Sequence, residues 1–178
     1  MIFEDTDSIP TLDEISRELV QGLPVEFNDP KKGRAEWTKG ILLQLRKMGT
    51  ERGMSVRGWL LDLIWMVEER REIVLGVESE WGDASEVQDD FDKLMSIKAR
   101  RKLLLFSTNK RIPSAPQEVL RHIEQSMRAY PYHLAGEEYM ALDVRGTQVF
   151  RYHFHVPTDG RLDAVCFESV GVPLDLPA

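Results

Sequence analysis

The sequence predicts an α/β fold, a central mixed β-sheet flanked by helices, in a single domain spanning residues 1–178. Three observations predict it. Capped amphipathic segments at helical spacing alternate with short apolar runs. One of those runs, "KLLLF", is continuously apolar, as strands buried on both faces of a parallel pair are. The last third alternates apolar and polar residues and carries turn signals at "RG" and "TDG", which predicts a β-meander. Helices mixed with paired strands in this order imply a layered sheet.

The first element is a helix in "PTLDEISRELVQGLP". Thr11 and Glu14 form a capping box, Leu12, Ile15 and Leu19 share a face, and Gly22 with Pro24 ends it. The segment "VEFNDPKKGRAE" is rich in turn formers and predicts a loop. This first helix and loop, residues 1–30, are expected to lie outside the core. A longer helix over about 35–52 follows, with Trp37, Ile41, Leu45 and Met48 on one side. The run "SVRGWLLDLIWMV" predicts one strand, and after the charged turn "EERR" the run "EIVLGVESEW" predicts its antiparallel partner. Asp83 and Glu86 then box the start of a helix over about 84–99 that buries Val87, Phe91, Leu94 and Ile97. "KLLLFST" supplies the buried strand, Ser114 and Gln117 cap another helix, and residues 138–168 form the meander.

With 42% hydrophobic and 30% charged residues, the composition is that of an ordinary water-soluble domain. The longest apolar stretch, "WLLDLIWMV", is too short to span a bilayer and contains an acid, and the acidic start "MIFEDTDSIP" lacks a signal-peptide pattern. A cytoplasmic protein without a membrane partner is the expectation. Cys166 is the sole cysteine, which excludes an internal disulfide and a cysteine-based zinc site. The net charge of −7 argues against indiscriminate nucleic-acid binding, though not against a local basic patch or an acidic site that collects metal ions.

Three acids stand where acids are costly. Glu78 and Glu80 lie two residues apart in "VLGVESEWG", so in a strand they share one face about 6.5 Å apart. Asp62 sits in the middle of "LLDLIWM", on the neighbouring strand. Unpaired buried carboxylates lose their water and repel each other. Convergence of Asp62, Glu78 and Glu80, with the backbone carbonyl of Ser79 nearby, makes sense if a divalent cation lies among them. Mg²⁺ or Mn²⁺ takes hard oxygen ligands and keeps several waters. It can activate a water and neutralise charge on a phosphate. Glu80 would then be a further ligand or the base that takes the proton.

This pattern resembles the PD-(D/E)XK nuclease superfamily, in its Glu-x-Glu variant. The matching pieces are Asp62 in "LLDLIW", Glu78-Ser79-Glu80 in "VESEW", the helix "SEVQDDFDKLMSIKA" and the strand "KLLLF". They span roughly 35–108, including a preceding helix where Glu36 stands at the place of a further acid. The resemblance implies a restriction-endonuclease-like core and metal-dependent phosphodiester hydrolysis, on DNA ahead of RNA. Glu80 occupies the usual lysine position, so the resemblance directs attention to Lys93, and more weakly Lys98, as a lysine supplied by the helix. It equally accommodates a fold that has lost catalysis and serves as a binding or assembly module of a DNA-processing or defence complex, or as a homodimer.

Each of these residues also has an ordinary use. Glu78 and Glu80 can pair with arginines on a half-exposed strand, Lys93 with Asp89 one helical turn earlier, and Glu36 with the positive end of its helix. His153 and His155 share a strand face and read as cross-strand polar partners, Cys166 as a small core residue. Trp59, Trp65 and Trp81 read as packing residues that fix register. Arg100, Arg101 and Lys102 belong to a basic cluster at an element end, and on the nuclease reading they are expected to touch phosphates.

Overall fold

The computed structural model describes residues 9–23, 33–107, 115–145, 148–157 and 166–175. Helices α1 (Leu12–Gly22) and α2 (Arg34–Glu51) precede the strands β1 (Ser55–Trp59), β2 (Leu61–Val67) and β3 (Glu72–Glu80). Helix α3 (Ala84–Ser96), strand β4 (Ala99–Phe106) and helix α4 (Ala115–Ala129) follow, and β5 (Glu138–Arg145), β6 (Gln148–His155) and β7 (Cys166–Asp175) complete the sheet. The seven strands lie in chain order. β3, β4 and β5 are mutually parallel, and every other neighbouring pair is antiparallel. The α/β class and the mixed sheet expected from the sequence are therefore present. The Ser114 cap and the "TDG" turn fall outside the described residues, as does most of the "VEFNDPKKGRAE" loop.

Strand alternation sorts side chains between two apolar layers. Leu63, Trp65, Leu75, Val77, Leu103, Leu105, Met140 and Leu142 face α1 and α2. Ile64, Leu104, Phe106, Tyr139, Ala141 and Tyr152 face α3 and α4, against Val87, Phe91, Leu94, Val119 and Ile123. Gly76 on β3 makes room for a side chain of the neighbouring strand: a Cβ there would stand 2.9 Å from Leu61 Cδ1, while 3.6 Å to Leu94 Cδ2 of α3 would be ordinary contact. Two tryptophans bolt α2 to the other face, as their packing role predicts. Trp65 Nε1 donates to the Leu45 carbonyl at 3.1 Å, and Trp81 Nε1 donates to Thr38 Oγ1 at 2.8 Å.

Two expectations need correction. Helix α1 is not peripheral: Leu12, Ile15, Leu19 and Val20 are buried in the first layer. Arg151 of β6 also donates to Asp13 Oδ1 at 2.7 Å and to Ser16 Oγ at 3.4 Å. A narrow stripe of apolar residues sufficed to bring the helix in, because it is the lid over β5. The second correction concerns "SVRGWLLDLIWMV", which is two strands and not one. Leu60, at φ 57°, turns the chain so that Trp59 pairs with Leu61 and Ser55 with Met66. The apex itself is a leucine, and the turn former beside it, Gly58, stands where the register shifts between Arg57 and Trp59.

Candidate carboxylate site

β2 and β3 pair from Val67↔Glu72 to Leu63↔Val77, and at the next position two acids take over from the ladder. Asp62 Oδ2 accepts from the backbone N–H of Ser79 at 2.9 Å and from Ser79 Oγ at 2.6 Å. Glu78 Oε2 in turn accepts from the Asp62 N–H at 3.3 Å. Each carboxylate thus holds the backbone of the other's strand. Asp62 Oδ1 and Glu78 Oε1 are left without a hydrogen-bond partner among the described residues. Ser79 contributes through its amide and hydroxyl, where the sequence suggested its carbonyl.

The Glu78 side chain points to the α3–α4 face, in one ladder row with Leu104, Ala141 and Tyr152. Only 4% of the residue is exposed. Burial is the main reason its carboxyl is pushed up to about 7, and the like charges of Asp90 and Asp62 add to it. The Asp62 N–H and the Lys93 ammonium act the other way. A glutamate in such surroundings exchanges its proton near neutral pH, an uncommon property for a strand residue.

Asp90 is the member that reasoning from sequence missed. It is buried on α3 and forms an ion pair with Lys93, three residues further along the same helix. The signal was present: Asp90 sits three residues after Val87 and four before Leu94, so an acid interrupts the apolar stripe of α3. Lys93 feels the charges of Glu78 and Asp62, and its direct partner is Asp90 and not Asp89. The hydrogen bond to Asp90, together with the charges of Asp90, Glu78 and Asp62, holds its ammonium above the ordinary lysine value despite some desolvation.

The expected threefold convergence is not formed. Glu80 lies one row beyond Glu78, and its Oε1 accepts from the Gly82 N–H at the mouth of α3. Among the described residues no group of three or more Asp, Glu, His or Cys side chains is placed to hold a metal ion. Asp62 and Glu78 are a two-carboxylate set, which is what Mg²⁺ commonly takes when waters and substrate oxygens fill its remaining positions. The donor chemistry fits that ion at two ligands.

The remaining candidates lie elsewhere. Glu36 Oε2 accepts from the Gly33 N–H at 2.9 Å and serves the start of α2. Lys98 and Arg100 are exposed. Lys102 is no phosphate contact: it is 1% exposed, and its Nζ donates to Glu137 Oε1 at 2.9 Å, Tyr139 Oη at 2.9 Å and the Met95 carbonyl at 3.3 Å. Arg101 is also buried, bonded to Glu138 at 3.2 Å. Both residues fall inside β4, a strand covered on both faces, so a charge there must go inward. The rings of His153 and His155 stand 6.3 Å apart on β6. The side chains of Trp59 and Cys166 lie outside the described set.

No protein-family model matches the chain, and no curated protein matches it by sequence. Among solved structures it is similar to the YaeQ protein from Xanthomonas axonopodis pv. citri, at 9% identity and a TM-score of 0.31, with 83% of this chain and 84% of that chain covered. A likeness this shallow carries no argument about function. Among the described residues no helix is long and apolar enough to cross a membrane.

Proposed function

We propose that the protein is a divalent-metal-dependent phosphodiesterase of the PD-(D/E)XK type that acts on DNA. The observation that supports this most is the meeting of Asp62 and Glu78 from adjacent strands, each with an oxygen to spare, beside a lysine whose ammonium feels both charges. Asp62 is fixed by Ser79, so its direction does not depend on substrate. Glu78 must give up its proton to ligate the ion, so with its carboxyl at about 7 in the metal-free protein, metal uptake is expected to strengthen as pH rises through neutrality. Lys93, half exposed and tethered by Asp90, brings positive charge to non-bridging phosphate oxygens. Mg²⁺ or Mn²⁺ held by Asp62 and Glu78 would supply Lewis acidity and a more acidic water.

Incubating the purified protein with plasmid and single-stranded DNA in Mg²⁺ or Mn²⁺ tests the reading. Nicking or cutting is expected, with a loss of roughly 100-fold or more in Asp62→Ala, in line with removal of one transition-state stabilising group. No cutting of either substrate, with Asp62→Ala indistinguishable from the parent, defeats it. The turn of Glu80 toward the Gly82 amide favours a second reading, a nuclease-fold binding or assembly module without chemistry. Calorimetric titration separates the two: no heat with Mg²⁺ or Mn²⁺ at millimolar concentration supports the module.

A further inference from the structure

The row of the sheet that holds Glu80 continues across β4 through Phe106 to Asp143 on β5 and Phe150 on β6. Paired residues point to the same face, so Asp143 looks out on the same side as Glu78. β3 and β5 run parallel, which puts their C-terminal ends at the same edge. Two residues beyond Asp143 comes Arg145, and its guanidinium is clamped. Its Nε donates to Asp143 Oδ2 at 2.5 Å, one Nη donates to Tyr152 Oη at 3.0 Å, and Cζ lies 4.3 Å from the centre of the Phe150 ring. Asp143 is fully buried, yet the Arg145 side chain keeps 32% of its surface exposed. The second Nη has no hydrogen-bond partner among the described residues.

A buried carboxylate paired with an arginine that keeps about a third of its surface in water adds little to stability, because the carboxylate loses its water. It is a good way to hold a planar, bidentate donor at a fixed angle toward an incoming anion. From the strand spacing and rise, the guanidinium stands on the order of 10–15 Å from Glu78, a few nucleotides away at about 3.4 Å of rise each. We propose that Arg145, oriented by Asp143 and Tyr152, anchors a backbone phosphate of the DNA strand whose scissile bond lies at Asp62 and Glu78. This rests on the phosphodiesterase reading and adds the residue that sets the strand's path across the sheet.

The test is fluorescence anisotropy of a labelled single-stranded DNA 20-mer in EDTA, at several salt concentrations, beside a plasmid-nicking assay in Mg²⁺. The double variant Asp143→Asn/Arg145→Gln removes the ion pair while keeping a hydrogen-bonding pair, and circular dichroism checks its fold. It is expected to bind several-fold more weakly, with the slope of log affinity against log salt lowered by about 0.7, the signature of one lost single-strand phosphate contact. Tyr152→Phe loosens the clamp without changing charge and is expected to weaken binding about twofold to threefold at unchanged slope. It stands as the test if the double variant does not fold. A parent that binds, with variants that bind equally tightly at the same slope, overturns the anchor alone. A parent that neither binds the 20-mer nor nicks plasmid overturns the phosphodiesterase reading, and the anchor falls with it.

Discussion

Two buried clusters of charge share the α3–α4 face of the sheet, and they are built on opposite plans. Around Lys102 the plan is closure. Lys102 has three donors and three acceptors, Tyr139 Oη donates to Glu137 Oε2 at 2.7 Å, and His133 Nδ1 stands 3.1 Å from the same oxygen. His133 Nε2 reaches the Met127 carbonyl at 2.9 Å. Burial alone would raise the Glu137 carboxyl, but His133, Lys102 and Tyr139 together hold it below the ordinary value. Around Glu78 the plan is the reverse: three acids of like sign, one half-exposed lysine, and a carboxyl pushed up to about 7. Even the backbone differs. Beside Glu137 the left-handed position is taken by Gly136 at φ 80°, where it costs nothing; beside Asp62 it is taken by Leu60. One cluster holds α3, α4 and the sheet together. The other keeps like charges side by side in a buried place, which raises the Glu78 carboxyl.

Deleting a charge from each should therefore have opposite signs. Lys102→Met leaves Glu137 buried without its cation and is expected to cost about 3–5 kcal/mol in urea unfolding at pH 7. A loss below 1 kcal/mol would show that Lys102 and Glu137 are not the closed pair described. Glu78→Gln should instead stabilise. The folded carboxyl keeps its proton up to about pH 7 while the unfolded one releases it near 4.5, so parent stability falls as pH rises through that window and is flat above it. The variant escapes this loss: it is expected to exceed the parent by about 3 kcal/mol at pH 8 and to match it at pH 4. Equal stability of the two at pH 8 would remove the contrast. The smallest effect is at the hairpin apex. Leu60→Gly relieves a left-handed leucine, less the entropy of glycine, and should gain about 0.5–1 kcal/mol in thermal or urea unfolding. A loss would mean that the exposed leucine packs better than its surface suggests.

The contrast also explains what the sequence disclosed. Caps, helical stripes and the continuous run of β4 are local signals, and α2, α3 and the parallel strands were legible from them. Asp62 and Glu78 were legible because each violates the pattern of its own strand. The β1–β2 reversal was not, because a leucine at positive φ breaks the turn rules instead of following them. Lys102 hid in "ARRKLLLF": three basic residues in a row look like a solvated end, and only the strand pairings on both sides show that the third lies within the sheet. His133 and Glu137 fell in "PYHLAGEEY", which has no periodicity to read, so half of the closed network could be found only in space. Glu80 misled for a related reason, since strand spacing fixes the face of a residue but not which donor its flexible carboxylate chooses.

The tie from Arg151 to Asp13 joins residues 138 positions apart. Helix α1 packs on α2, its neighbour in sequence, and on β5, far from it, so part of its apolar side is covered only once the second half of the sheet has paired. Before that pairing, part of the stripe of Leu12, Ile15 and Leu19 has no surface to cover it. Fast local helix formation cannot bury it, because the surface it needs is non-local.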